Sequence, residues 1–205
     1  KIFKKCSYQD AIRDVLGTKE DIRSYLRPEA RYSDIKPVRK INVSLPNGTE
    51  RLYGSDDIQG EMLIKWLKSR GYSVEDIDKY DLHFLGMEVY WPYYEFDELV
   101  YYQSRSRLNK RFNFPSADIY GGTKGDFLYG FDECECAKYI IITESIFCQY
   151  TLGEQAVATG GAALTQKQVS KLKVLGPKMG VILSPDNDEA GIKSVFSNHV
   201  LLKAC

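Results

Sequence analysis

The apolar run Tyr139-Ile140-Ile141-Ile142 constrains this chain more than any other feature. A strand that alternates polar and apolar residues can leave one face in water. A continuous apolar run is covered on both faces, the mark of a parallel strand packed between helices. The chain beyond this run keeps to that scheme. Ser145 to Leu152 is short and helical and closes on Gly153, and Ala156-Val157-Ala158 is a second strand. Thr165 caps a helix through Val169, Leu172 and Leu175, Val181-Ile182-Leu183 is a third strand, and Asp188 to His199 reads as a further helix. Such a βαβαβα unit implies a small, mostly parallel sheet covered by helices.

Upstream the texture is α+β. Ile58, Met62, Leu63, Trp66 and Leu67 recur at helical spacing from Asp57, with Gly71 as a stop. Ser73 caps a second short helix containing Val74 and Ile77, with Glu75 and Asp76 in its first turn. Val89-Tyr90-Trp91 and Leu99-Val100-Tyr101-Tyr102 are strands joined around Glu95-Phe96-Asp97-Glu98. Asn47-Gly48, between Val43-Ser44-Leu45 and Arg51-Leu52-Tyr53, predicts a small hairpin. Pro28, Pro37 and Pro46 interrupt any long helix in the basic opening stretch. The organisation expected is therefore a basic α+β subdomain over residues 1–136 and an α/β domain over 137–205.

The net charge is zero, so only its distribution informs. Between residues 101 and 125, Arg105, Arg107, Lys110, Arg111 and Lys124 face Asp118 alone, and Tyr101, Tyr102, Phe112 and Phe114 interleave with them. Cations with aromatics suit a groove that follows a phosphate backbone; an ordinary solvated basic face is the plainer alternative. The five cysteines, Cys6, Cys134, Cys136, Cys148 and Cys205, are odd in number and irregularly spaced, which points to free thiols in a reducing cytoplasm. Only Cys134 and Cys136 form a close pair, so a structural zinc site is not expected within this chain. No apolar run approaches the roughly 18 residues that span a bilayer, and a membrane role is not expected. Beginning at Lys1, the chain reads as a piece of something longer.

Functional residues of open parallel sheets gather at the carboxyl ends of the strands. Two such ends are acidic here: Glu144 closes the first strand, and Asp186 and Asp188 come after the third. If that turn is extended, positions i and i+2 point the same way and both Asp carboxylates can face one cation. Clustered carboxylates repel one another unless neutralised, and hard oxygen donors suit Mg²⁺. For the Asp pair alone, turn and helix-cap roles are the favoured reading; Glu144 in the matching position shifts the balance to a metal site.

These residues also carry a resemblance. Ile142-Thr143-Glu144-Ser145-Ile146-Phe147, Ala158-Thr159-Gly160-Gly161 and Leu183-Ser184-Pro185-Asp186-Asn187-Asp188-Glu189-Ala190-Gly191, in that order, resemble a TOPRIM domain. The last stretch is similar to that of bacterial and phage replicative DNA primases. So is the upstream series Lys110-Arg111-Phe112-Asn113-Phe114-Pro115-Ser116, Gly122-Thr123-Lys124-Gly125 and Leu128-Tyr129-Gly130. More weakly, Leu67-Lys68-Ser69-Arg70-Gly71 and Tyr101-Tyr102-Gln103-Ser104-Arg105 look phage-primase-like. The resemblance covers roughly residues 60 to 200. Two positions depart from the family: Ser145 stands where Gly usually follows the Glu, and Cys148 where an Asp usually stands one helical turn on.

The resemblance implies a DNA primase core: a nucleotidyltransferase that makes short RNA primers from ribonucleoside triphosphates on single-stranded DNA. It implies Glu144, Asp186 and Asp188 as the catalytic, metal-binding set for Mg²⁺ or Mn²⁺, with proton transfer as another role for Glu144. Arg105, Lys110, Arg111, Asn113 and Lys124 are then candidates for template or nucleotide phosphates, and Gly160 and Gly161 for close backbone approach. A replicative helicase is the implied partner, and the cytoplasm, or a host's cytoplasm for a phage protein, the implied location. No zinc-binding module or helicase segment is visible, so the chain reads as a fragment or reduced version of the polymerising core. Alternatives are another TOPRIM enzyme, topoisomerase-like or nuclease-like, and a non-catalytic nucleic-acid-binding module with a degenerate metal site. A phosphate-binding G-x-x-x-x-G-K-[ST] loop, which would accompany the nuclease type, is absent from the sequence.

Overall fold

The computed structural model describes residues 43–109, 111–134, 139–176 and 180–203. These fall into two compact units, one ending at Lys124 and the other beginning at Gly125.

The first unit is built on an antiparallel sheet in the order β1-β2-β3-β4-β5, with β1 Glu50–Arg51, β2 His83–Leu85, β3 Glu88–Glu95, β4 Glu98–Ser106 and β5 Phe112–Asn113. β3 and β4 form the expected hairpin. Its two turn residues, Phe96 and Asp97, both have positive φ, 56° and 59°, the backbone that matches the twist of a tight hairpin. Pro92 sits inside β3 without breaking the ladder, because β2 pairs with β3 only as far as Tyr90 and needs no N–H from position 92. The aromatic core lies along this hairpin. Trp91 is wholly buried and meets Trp66 edge-on with centroids 6.5 Å apart, and Tyr93 meets Tyr101 in the same way at 5.5 Å.

Helix α1, Ile58–Lys68, is capped by Asp57, whose side chain accepts from the N–H groups of Gln59 and Gly60. It ends at Lys68, and the chain reverses through Gly71, where φ is 97°. Helix α2, Val74–Lys79, opens on a reciprocal Ser73–Asp76 capping box. The hairpin expected around Asn47-Gly48 does not form. The turn exists, with Thr49 N donating to Pro46 O at 3.2 Å, but Val43–Leu45 is not a strand. Glu50 and Arg51 pair instead with Phe84 and His83, a strand the local pattern could not announce. A short helix α3, Ala117–Tyr120, closes on Gly121 in the left-handed conformation.

The second unit is the α/β element foreseen from the alternation. Three parallel strands, β6 Tyr139–Thr143, β7 Ala156–Ala158 and β8 Gly180–Ser184, lie in the order β7-β6-β8. Ile140 and Ile142 of the central strand are buried, as is all of β7. Helices α4 Ile146–Leu152, α5 Gln166–Leu175 and α6 Glu189–Lys203 complete it. Thr165 and Gln168 form a capping box at α5, and Gly176 closes that helix with φ 59°. Helix α6 turns Gly191, Ser194 and Asn198 inward, while Ile192, Phe196 and Val200 are exposed. Ahead of β6, Tyr129 bridges Ala158 through paired backbone bonds of 3.0 and 2.9 Å, so the chain around Tyr129 is built into this unit.

Candidate functional site

The register of the parallel sheet sets the site. Thr143 is paired with both Ala158 and Ser184, so the three strands end level, and the residues leaving them emerge on one edge. Glu144 comes directly after β6, Thr159-Gly160-Gly161 after β7, and Pro185-Asp186-Asn187-Asp188 after β8. The Asp186 N–H donates to Glu144 Oε1 at 3.1 Å. Burial raises the Glu144 carboxyl above the ordinary carboxylate range; the Asp186 N–H opposes this, and the Asp186 and Asp188 charges add to the rise. The three acids therefore sense one another. They are brought together from strand ends forty-two residues apart in sequence at the Glu144–Asp186 bond.

Asp188 also acts as a helix cap. Its Oδ1 accepts from Gly191 N at 2.8 Å, and Ile192 N donates to its backbone carbonyl at 3.0 Å. The turn role and the ligand role thus compete for one oxygen of Asp188. Among the described residues, no three Asp, Glu, His or Cys side chains grip a single point as they stand. The donor set nonetheless fits a hard divalent ion: all carboxylate oxygens, in mutual repulsion, with Asp186 and Asp188 both exposed.

Gly191 has a role that its place in the sequence does not reveal. A Cβ there would stand 2.1 Å from Asp186 O and 3.1 Å from Glu144 Oε1. Only glycine lets the first turn of α6 come this close to the acids. Its position at the end of the motif Asp186-Asn187-Asp188-Glu189-Ala190-Gly191 is the one signal the sequence offers.

The two departures resolve differently. Ser145 has φ −117°, an extended conformation open to any residue, and its Oγ accepts from Cys148 N at 3.2 Å as a helix cap. Glycine is not required there. Cys148 is half-buried and carries no carboxylate into the site. Of the glycine pair, Gly160 has φ 73°, whereas Gly161 has no positive φ. Thr159 is buried, with its Oγ 3.0 Å from Thr143 O and 2.5 Å from Gly161 O, so the loop is tied to the end of β6.

The basic segment belongs to the first unit. Arg105, half-buried on β4, stacks its guanidinium 4.8 Å from the Phe112 ring centre; burial, then the neighbouring Arg70 charge, lower its pKa. Arg70 itself lies 5.1 Å over the Trp66 ring. Asn113 is turned to Glu88, donating at 2.7 Å. Lys124 stands 5.2 Å over the Phe114 ring, Arg111 is exposed, and Lys110 lies outside the described residues.

Comparison with known proteins agrees with this geometry. Residues 141–204 match the family described as Toprim-like. A solved bacteriophage T7 chain matches with TM-score 0.54 and 25% identity over 66% of this chain and 72% of that one. It comes from a T7 lagging-strand DNA polymerase interacting with primase domains of two gp4 subunits bound to an RNA/DNA hybrid and dTTP. No curated protein matches the chain significantly. The second unit is a TOPRIM domain. The chain that carries it is similar to TOPRIM-containing primases of the phage and bacterial type.

Proposed function

We propose that this chain is the polymerising core of a DNA primase, joining ribonucleotides into short primers on single-stranded DNA. The observation that carries the reading is the Asp186–Glu144 bond, which joins the acid after β6 to the acid pair after β8 at one edge of the TOPRIM sheet. Both the Toprim-like match and the likeness to the T7 primase-containing structure support it.

In this reading Glu144, Asp186 and Asp188 hold Mg²⁺ or Mn²⁺. When bound, such an ion neutralises triphosphate charge and stabilises the charge that develops at phosphorus. The chain's residues do the positioning. The Asp186 N–H holds the Glu144 carboxylate toward the acid pair. The glycine loop, Gly160 and Gly161, receives the incoming ribonucleoside triphosphate where no side chain obstructs its phosphates. Arg105, Lys110, Arg111, Asn113 and Lys124 hold template or nucleotide phosphates; Asn113 must leave Glu88 to do so. The primer 3′-hydroxyl then forms a bond to the α-phosphorus, the bond to the β-phosphate bridge breaks, and pyrophosphate leaves with the hydroxyl proton released. A replicative helicase is the fitting partner and the cytoplasm, or a host's cytoplasm, the fitting location.

Two observations favour a second reading, a nucleic-acid-binding module with a degenerate metal site. Asp188 is engaged as a cap, and Cys148 stands where the resemblance leads one to expect an acid. Labelled ribonucleotides on mixed single-stranded templates decide between them. Primers formed with Mg²⁺ or Mn²⁺ support the primase; binding of DNA with no product under either ion supports the binding module.

A further inference from the structure

The glycine loop is held by two buried carboxamides that the proposed reaction leaves unused. Gln168 of α5 is wholly buried; its Nε2 donates to Phe127 O at 2.9 Å and Thr159 O at 3.0 Å, and its Oε1 accepts from Thr165 N at 3.1 Å. Asn198 of α6, 6% exposed, grips the other end of the loop. Its Nδ2 donates to Ala162 O at 2.9 Å and its Oδ1 accepts from Leu164 N at 2.9 Å. The loop thus enters and leaves under separate clamps, one from each helix.

Asn198 has a second relation to the site. It lines a pocket with Thr143, Glu144, Thr159, Ala162 and Ser184, so the loop and the acid border the same opening. It also lies on the helix that Asp188 caps, ten residues on, a span of about 15 Å along one rigid element. Gln168 meets the same pocket only through the Thr159 carbonyl, whereas Asn198 lines it directly beside Glu144.

We infer that Asn198 is a positioning residue: it fixes the loop from Gly160 to Ala163 against the pocket that Glu144 borders, and so sets the affinity for the triphosphate of the incoming nucleotide. The inference rests on the proposed role of that loop as the triphosphate seat. Asn198→Asp is nearly isosteric. It keeps the acceptor for Leu164 N but replaces the donor to Ala162 O with a charged oxygen, which repels that carbonyl and frees the loop.

The test is steady-state primer synthesis by the full chain, as a function of ribonucleoside triphosphate and of Mg²⁺. For Asn198→Asp we expect KM for the nucleotide to rise about tenfold and kcat to stay within about twofold. An unchanged KM, or a loss of kcat that merely follows a loss of folded protein, would overturn the inference. Should the variant fail to fold, amide hydrogen exchange on the unaltered chain replaces it. ATP with Mg²⁺ should slow exchange in residues 160–164; exchange unaffected by ATP overturns the inference. This arm also separates the two readings. Protection of the loop by ATP in a chain that makes no primers defeats the primase reading and leaves the loop assignment standing, whereas primer synthesis without protection does the reverse.

Discussion

The main-chain N–H of Asp186 donates to Glu144 Oε1 at 3.1 Å, so a backbone group of one acidic turn holds the side chain of the other. This bond explains why a partly buried carboxylate tolerates two acidic neighbours. It offsets some of the rise that burial and the Asp186 and Asp188 charges impose on Glu144. Glu144→Gln keeps an oxygen for the Asp186 N–H and removes the charge. In metal-free buffer near neutral pH the melting temperature should therefore be unchanged or raised. The sign follows from the raised pKa: the charged form opposes folding above that pKa, and the opposition fades as pH falls through it. A marked drop in melting temperature, measured by thermal denaturation with chelator present, would assign Glu144 a structural role.

Gly191→Ala should destabilise the second unit, against the usual preference. In a helix, Ala is ordinarily favoured over Gly by about 1 kcal/mol. Here the added methyl would stand 2.1 Å from Asp186 O, so backbone must move. Overpacking of this kind costs on the order of 1–3 kcal/mol. Urea denaturation reads the change, and a gain in stability would show that the first turn of α6 is not pressed against the acids.

Asp81 predicts an acid-sensitive first unit. Burial raises its carboxyl, but hydrogen bonds with His83 and Tyr94 and the charges of His83 and Arg51 outweigh this, leaving its pKa lowered. The bond from Tyr94 Oη is 2.6 Å and that from Arg51 Nε 3.1 Å. A lowered folded pKa contributes stability that is present above the unfolded value, about 3.9, and is lost as pH falls through the folded one. Denaturation midpoints from pH 6 down to the onset of acid unfolding should fall less steeply for Asp81→Asn than for the unaltered chain. Parallel slopes would mean that the carboxylate gains nothing from its partners.

Lys110→Ala and Lys124→Ala test the basic segment. Each lost phosphate contact should reduce the slope of log affinity against log salt by roughly 0.7 for single-stranded DNA. Unchanged slopes in both variants would return residues 101–125 to an ordinary solvated face.

Much of the second unit is legible in the sequence because its signals are local. The run from Tyr139 to Ile142, the Thr165 cap and the stop at Gly153 each act within a turn or two of themselves. The acids can be named for the same reason, since each sits just past a recognisable strand. What escapes is non-local. The partner of Glu50–Arg51 lies more than thirty residues away in β2, so the Asn47-Gly48 turn suggests the wrong hairpin. Gly191 meets Glu144 across 47 residues, Gln168 meets Phe127 across 41 and Asn198 meets Ala162 across 36, and no short window contains both halves of these contacts. Cap chemistry at Asp188 is visible in the sequence as an alternative, and the structure shows that it is realised.

The central claim is that Glu144 and Asp186 serve metal-dependent primer synthesis, and Glu144→Gln and Asp186→Asn measure it most directly. Both keep shape and remove charge, and the main-chain bond from Asp186 to position 144 survives either change. Primer yield from labelled ribonucleotides, with Mg²⁺ and then Mn²⁺, is compared with the unaltered chain at equal folded concentration. The account predicts folded variants whose synthesis falls by orders of magnitude under both ions, since the lost anchor helps stabilise several kcal/mol of transition-state charge. Near-normal synthesis by both variants would contradict it and place the metal elsewhere.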